Sequence, residues 1–105
     1  MKTEPASPSP HLADAAVYVT AAINNRLQKD PDFQRDVLTS LVRFLSLDWG
    51  DTCATDVSTN EACYKTGDRL FAVYHTCAGR IYIIADAAPE GQPYETITVL
   101  YPSDY

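Results

Sequence analysis

The chain has 105 residues, 46% hydrophobic and 21% charged, a composition typical of one globular domain with a single core. Its net charge of −6 argues against direct nucleic-acid binding, because affinity for phosphates comes mainly from lysine and arginine. No apolar run reaches the roughly 18 residues of a membrane span, and the N-terminus lacks the pattern of a signal peptide. We therefore expect a cytoplasmic protein that binds neither nucleic acid nor a membrane.

The negative charge arises entirely in the second half of the chain. Residues 1–47 carry five basic and five acidic side chains, whereas residues 48–105 carry nine acids against only Lys65, Arg69 and Arg80. A surface of this kind repels nucleic acid and attracts basic grooves on proteins. The second half is therefore the part of the chain in which we expect a binding surface.

The N-terminal half is predicted to be helical after a short tail. Residues 1–11 are predicted to be disordered, since residues 1–10 hold three prolines and two serines. Apolar residues recur every three or four positions from Leu12 to Lys29, which predicts a first helix. Asp30 and Pro31 then suit the cap and first turn of a second helix, which is expected to end at about Leu45 or Leu47. The two helices would form an antiparallel hairpin.

The C-terminal half is predicted to hold one more helix and then three strands. Asp51 or Thr52 would cap the third helix, and Thr66-Gly67 would end it. Segments 69–76, 80–86 and 95–101 are rich in valine, isoleucine, tyrosine and threonine, which favour strands. Residues 77–79 read as a hairpin connection, with Gly79 free to adopt positive φ.

These elements predict an α+β fold over residues 12–105, a single domain with N-terminal helices packed on one face of a three-stranded antiparallel meander. Alternation puts Ile81 and Ile83 on one sheet face, and this is the better candidate for the helix-covered side. Tyr82 then lies on the opposite face. Its neighbours there depend on register, and either Phe71 and Val73 or Thr96 and Thr98 fit.

The sequence offers three candidate catalytic or metal sites, and local geometry argues against each. Cys53, Cys63, His75 and Cys77 have the composition of a zinc site, but ten residues separate the first two on one predicted helix, about 15 Å along its axis. His75 and Cys77 flank a hairpin turn rather than a pocket that excludes water. Asp48, Asp51 and Asp56 suit helix capping better than acid–base chemistry. We predict no enzyme activity, no metal and no cofactor, and three reduced thiols.

The candidate binding residues are acids and tyrosines of the second half. Tyrosine is enriched at protein interfaces because it combines apolar area with a hydroxyl group, although it is also a good strand former. The predicted partner-binding residues are Asp48, Asp51, Asp56, Glu61, Asp86, Glu90, Glu95, Tyr82 and Tyr94.

Residues 47–105 resemble a family of short proteins from plasmids, conjugative elements and phages of gut bacteria. The resemblance rests on residues 48–51 (Asp-Trp-Gly-Asp), 60–62 (Asn-Glu-Ala), 67–70 (Gly-Asp-Arg-Leu), the strands 73–76 and 81–85, and the ending 98–105. It implies a mobile-element protein in a bacterial host cell, and it implies no particular activity. Residues 89–94 and 12–47 depart from the family pattern.

The leading hypothesis is a non-enzymatic inhibitor of a host defence system, similar in action to anti-CRISPR or antirestriction proteins. Its acidic surface would bind a basic, nucleic-acid-binding groove on a Cas or restriction component. A second hypothesis is an accessory structural or regulatory protein that acts as a homodimer through its sheet or its helical hairpin. A third, a small enzyme using Asp48, Asp51 or His75, is the least supported.

Overall fold

The computed structural model describes residues 9–89 and 91–105. The described chain is α+β, with three α-helices and a four-stranded mixed sheet. The elements in chain order are β1 (Ala16–Val19), α1 (Ala21–Leu27), α2 (Pro31–Leu45), α3 (Ala54–Thr66), β2 (Leu70–Thr76), β3 (Gly79–Ala85), β4 (Thr96–Leu100) and a 3₁₀ turn (Pro102–Asp104). Within this part of the chain, no helix is long and apolar enough to cross a membrane.

The sheet is larger than the predicted meander. The strands have the order β1-β4-β3-β2, and β2, β3 and β4 are antiparallel neighbours as predicted. A fourth strand, β1, lies parallel to β4, with Ala16 opposite Thr96 and Val19 opposite Val99. The prediction of a purely antiparallel three-stranded sheet is therefore wrong in strand number and in direction, although the α+β class is confirmed.

The added strand comes from the segment that was predicted to begin the first helix. Only Ala21–Leu27 of residues 12–29 is an α-helix, so the long helical hairpin does not form. The backbone N–H of Ala16 donates to Glu95 O (2.9 Å), and that of Thr20 donates to Val99 O (3.1 Å). These bonds, together with the strand preference of two valines and a tyrosine, outweigh the helical spacing of apolar residues.

The second and third helices follow the sequence more closely. Asp30 caps α2 by accepting a hydrogen bond from the N–H of Phe33 (3.1 Å), and Pro31 begins the helix as predicted. Helix α3 ends at Gly67, whose φ of 82° is left-handed. Its N-cap is Cys53, which makes no side-chain cap, so the expected caps at Asp51 and Thr52 are wrong. Both of those side chains bond β2 instead.

One face of the sheet carries the main core, and the opposite face, which we call the open sheet face, has no α-helix of the described chain packed on it but buries Ile84 and Leu100 and is partly covered by Tyr105. Ile81, Ile83 and Ala85 are fully buried against the helices, which confirms the predicted covered face. The helices contribute Ile23, Phe33, Val37 and Phe44 to the same cluster, and the other strands contribute Leu70, Ala72, Tyr74, Ile97 and Val99. On the opposite face, the Tyr82 ring packs edge-on against Phe71, with centroids 4.8 Å apart.

Residues 9–11, the first that the structure describes, pack against the domain. Ser9 is buried, and its N–H donates to Leu45 O at 2.7 Å. The His11 ring meets the Tyr64 ring edge-on, with centroids 5.5 Å apart. These residues of the predicted tail therefore contact the domain, and residues 1–8 of that tail lie outside the described residues.

Candidate functional site

The turn of residues 48–51 is held in place by hydrogen bonds from α2, from β2 and within the turn itself. Arg43 at the end of α2 makes a two-pronged ion pair with Asp48, with its Nε and Nη2 at 2.9 and 3.1 Å from the carboxylate oxygens. The N–H of Gly50 donates to the same carboxylate (3.1 Å), and the Tyr74 hydroxyl donates to Asp48 O (2.6 Å). The hydrogen bond from Arg43 lowers the pKa of Asp48 below its usual range. This turn thus has a defined geometry although it is a surface loop.

The second acid of the turn interacts with the outer strand. The Asp51 carboxylate contacts Nδ1 of His75 on β2, and this hydrogen bond lowers the pKa of Asp51. Both side chains are about half exposed, with 52% of the Asp51 side chain and 59% of the His75 side chain accessible. They therefore form a surface pair rather than a shielded acid–base site.

Helix α3 carries two further acids of the predicted binding site. Asp56 is half-buried in its first turn, and Glu61 is exposed in its middle. We call the four acids of the 48–51 turn and of α3, namely Asp48, Asp51, Asp56 and Glu61, the acidic edge. It flanks β2, because α3 bonds the backbone of that strand through Asn60.

A cavity of about 330 Å³ opens between α3 and the end of α2. It is lined by Leu47, Trp49, Glu61, Tyr64 and Lys65. Apolar and aromatic walls with a few charged groups at the rim are typical of sites that bind an apolar side chain or a small ligand. Since Glu61 belongs to both, the cavity adjoins the acidic edge.

The segment beside the cavity carries two energetically unfavourable features. Leu47 has a φ of +65° and is the sole non-glycine with positive φ among the described residues. The Trp49 indole N–H is buried and has no hydrogen-bond partner within residues 9–89 and 91–105. Backbone strain and unsatisfied buried donors each cost on the order of 1–3 kcal/mol, and such costs tend to occur at functional sites.

The remaining predicted site residues lie elsewhere. Asp86 and Glu95 are exposed where β3 ends and β4 begins, and Asp86 accepts a hydrogen bond from the Thr96 hydroxyl (3.0 Å). Tyr82 is half-buried on the open sheet face. Tyr94 is only 2% exposed, and its hydroxyl donates to Asp68 O (2.6 Å), so its side chain belongs to the core. Burial raises the pKa of Tyr94 to about 12. Glu90 lies outside the described residues.

The predicted acids therefore fall into two groups. Asp51 contacts His75 near the end of β2 that leads into the β2–β3 hairpin. Asp86 directly follows Ala85, which pairs with Leu70 at the opposite end of β2. Six residues of strand separate the two positions, about 20 Å at the usual rise. The cavity depends on how α3 packs against Leu47 and Trp49, and the pairing of Asp48 with Arg43, five residues earlier, depends on the conformation of the turn that follows α2. Sequence reasoning missed both.

The structure also shows where the histidine, cysteine and acidic side chains lie relative to one another within residues 9–89 and 91–105. No group of three or more histidine, cysteine or acidic side chains there is arranged to hold a metal ion. Cys53 and Cys77 are exposed, Cys63 is half-buried, and all three are free.

Comparison with known proteins identified no similar protein. No family model matches the chain, and no curated protein or solved structure matches it with significance.

Proposed function

We propose that the protein is a non-enzymatic binding protein whose acidic edge docks into a basic groove of another protein. The observation that carries this proposal is the cavity lined by Glu61, because it offers apolar walls beside an exposed carboxylate of the acidic edge. Binding energy in protein interfaces concentrates in pockets that accept one large side chain, while surrounding charges speed association and select the partner.

The proposed partner is a nucleic-acid-binding component of a bacterial defence system. A groove that binds nucleic acid is lined with lysine and arginine, and the excess of acids over bases after residue 47 complements it. Together with the resemblance to mobile-element proteins, this favours inhibition of a Cas or restriction complex in the host cytoplasm. Arg43 and Lys65 offset part of the negative charge near the acidic edge. The acidic edge therefore suits binding to a basic protein surface better than it suits mimicry of the regularly spaced phosphates of DNA.

The test is binding to a panel of purified Cas effectors and restriction complexes at increasing salt. We expect at least one of them to bind, with affinity falling about tenfold or more between roughly 50 and 300 mM salt. Glu61→Lys should weaken that binding. Asp14→Lys makes the same charge change at an exposed site outside the acidic edge and should have little effect. Salt-independent binding, or equal effects of the two variants, would contradict the proposal.

A further inference from the structure

The outer edge of β2 is blocked by the rest of the molecule. At Phe71, the Asn60 side chain accepts from the backbone N–H (3.1 Å) and donates to the carbonyl (2.7 Å). At Val73, the N–H donates to the Thr52 hydroxyl (2.9 Å) and the carbonyl accepts from the N–H of Asp51 (2.8 Å). Both of these outward-facing residues of β2 therefore have their backbone groups satisfied within the chain.

The opposite edge, formed by β1, is open. Ala16 and Thr20 turn their N–H groups toward β4, so strand alternation turns the N–H and C=O groups of Val17 and Val19 outward. None of the described residues bonds these outward groups. Val17 is 46% and Tyr18 57% exposed, which is unusual for large apolar side chains in a strand. Residues 15–21 contain no charge and no proline, the features with which proteins usually protect an edge strand.

We propose that this edge pairs with β1 of a second copy of the chain, antiparallel about a two-fold axis at Tyr18. Val17 of each copy then lies opposite Val19 of the other, and the outward groups of these residues form four backbone hydrogen bonds. The two Tyr18 side chains face each other on the open sheet face. Two four-stranded sheets become one sheet of eight strands.

A second copy fits this edge because the strand is complementary to itself. The two kinds of pair at the centre of this register, Val17 with Val19 and Tyr18 with Tyr18, join β-branched or aromatic residues, which are the favourable cross-strand pairs. A two-fold interface uses the same patch on both chains, as this register does. Residues 15–21 carry no acid that would select a basic strand from another protein, and the one carboxylate bonded to them, Asp104, accepts from the Thr20 hydroxyl (2.8 Å) beyond the end of β1. The acidic edge lies on the other side of the sheet. The inference is therefore independent of the function proposed above.

The first test is sedimentation over a concentration series reaching about 1 mM, because an interface of four residues per chain gives a weak dimer. The wild-type protein should show a monomer–dimer equilibrium. Val17→Pro removes an outward N–H but leaves the bonds of Ala16 and Thr20 to β4, and it should raise the dimer Kd tenfold or more. Tyr18→Asp puts two carboxylates opposite each other and should do the same. Leu38→Asp, at a position 64% exposed on α2, is the matched control and should leave the Kd unchanged.

The second test reports the register and does not depend on a disruptive variant. In a background of Cys53→Ser, Cys63→Ala and Cys77→Ser, Tyr18→Cys should form a disulfide-linked dimer on mild oxidation. The facing pair at the two-fold axis has the short Cα separation that a disulfide needs. Val17→Cys should cross-link far less, since Val17 faces Val19. A monomer at all concentrations, a dimer insensitive to Val17→Pro in a folded variant, or equal cross-linking at positions 17 and 18 overturns the inference.

Discussion

Gly50 shows how closely the residue 48–51 turn packs on the sheet. Its φ is +62°, and it forms an isolated parallel bridge with Val73. A Cβ atom at this position would lie 2.5 Å from Cδ1 of the buried Tyr74 ring and 2.7 Å from Val73 O. Neither neighbour is free to move, because one is a core ring and the other is strand backbone. Only glycine therefore fits between the turn and β2.

We expect Gly50→Ala to lower the free energy of unfolding by about 2–4 kcal/mol, from overpacking and left-handed strain together. Gly79→Ala is the matched control. Gly79 also has positive φ (+94°), but a Cβ there meets nothing within 4 Å. Its cost should be limited to about 1 kcal/mol of backbone strain. Urea denaturation of both variants measures the difference, and equal costs would show that Tyr74 does not confine the turn.

The ion pair between Asp48 and Arg43 at the same turn should make the stability of the fold depend on pH. Because Arg43 lowers its folded-state pKa, ionised Asp48 stabilises the fold above its unfolded value near 3.8, and this contribution is lost as the pH falls below that value. Asp48→Asn should therefore cost about 0.5–1 kcal/mol at pH 7, the range for partly exposed ion pairs, and less at pH 3. Thermal melts at both pH values test this. Asp14→Asn is the control, and a pH-independent cost for Asp48→Asn would contradict the ion-pair explanation.

At the scale of elements, α3 is joined to the sheet by a polar contact as well as by packing. Asn60 is 2% exposed, and its amide bonds both the N–H and the carbonyl of Phe71. The side chain thus takes the place of a neighbouring strand at one residue of β2. This contact closes the edge of β2 and sets the position of α3, which carries Asp56, Glu61 and one wall of the cavity.

Asn60→Ala should destabilise the protein by about 1–3 kcal/mol, because it leaves the partly buried N–H and carbonyl of Phe71 without their hydrogen-bond partner. Thr59→Ala is the matched control on the same helix. The Thr59 hydroxyl is exposed and bonds only Thr55 O within α3, so its loss should cost about 0.5 kcal/mol or less. Chemical denaturation measures both variants. Similar small effects would show that packing alone fixes α3.

At the scale of the whole molecule, the two proposed interfaces lie at opposite edges of the sheet. The side beside β2 carries acids and a cavity, whereas β1 carries exposed apolar side chains and open backbone groups. The two proposed kinds of association should respond to added salt in opposite directions. It should weaken binding of a basic partner at the acidic edge, and it should strengthen pairing of two copies that each carry a net charge of −6.

Much of the fold was predictable where the deciding interactions are local. Asp30-Pro31 identified the start of α2, Gly67 the end of α3 and Gly79 the hairpin, because capping and positive φ depend on residues adjacent in sequence. Alternation in β3 identified the buried face, but the sequence left the neighbours of Tyr82 open, and the strand register decided that it packs against Phe71. Residues 16–19 were mispredicted, because their strand conformation depends on β4, about 80 residues away along the chain.

The sequence by itself determined the α+β class, the second and third helices, the antiparallel strands and the negative charge of the second half, since each follows from local propensity or composition. The tertiary structure alone decided that Tyr94 is a core residue and that the acids form two groups. It also decided that one edge of the sheet is closed and the other open. Those features depend on which distant segments meet, and long-range packing, rather than local preference, fixes that.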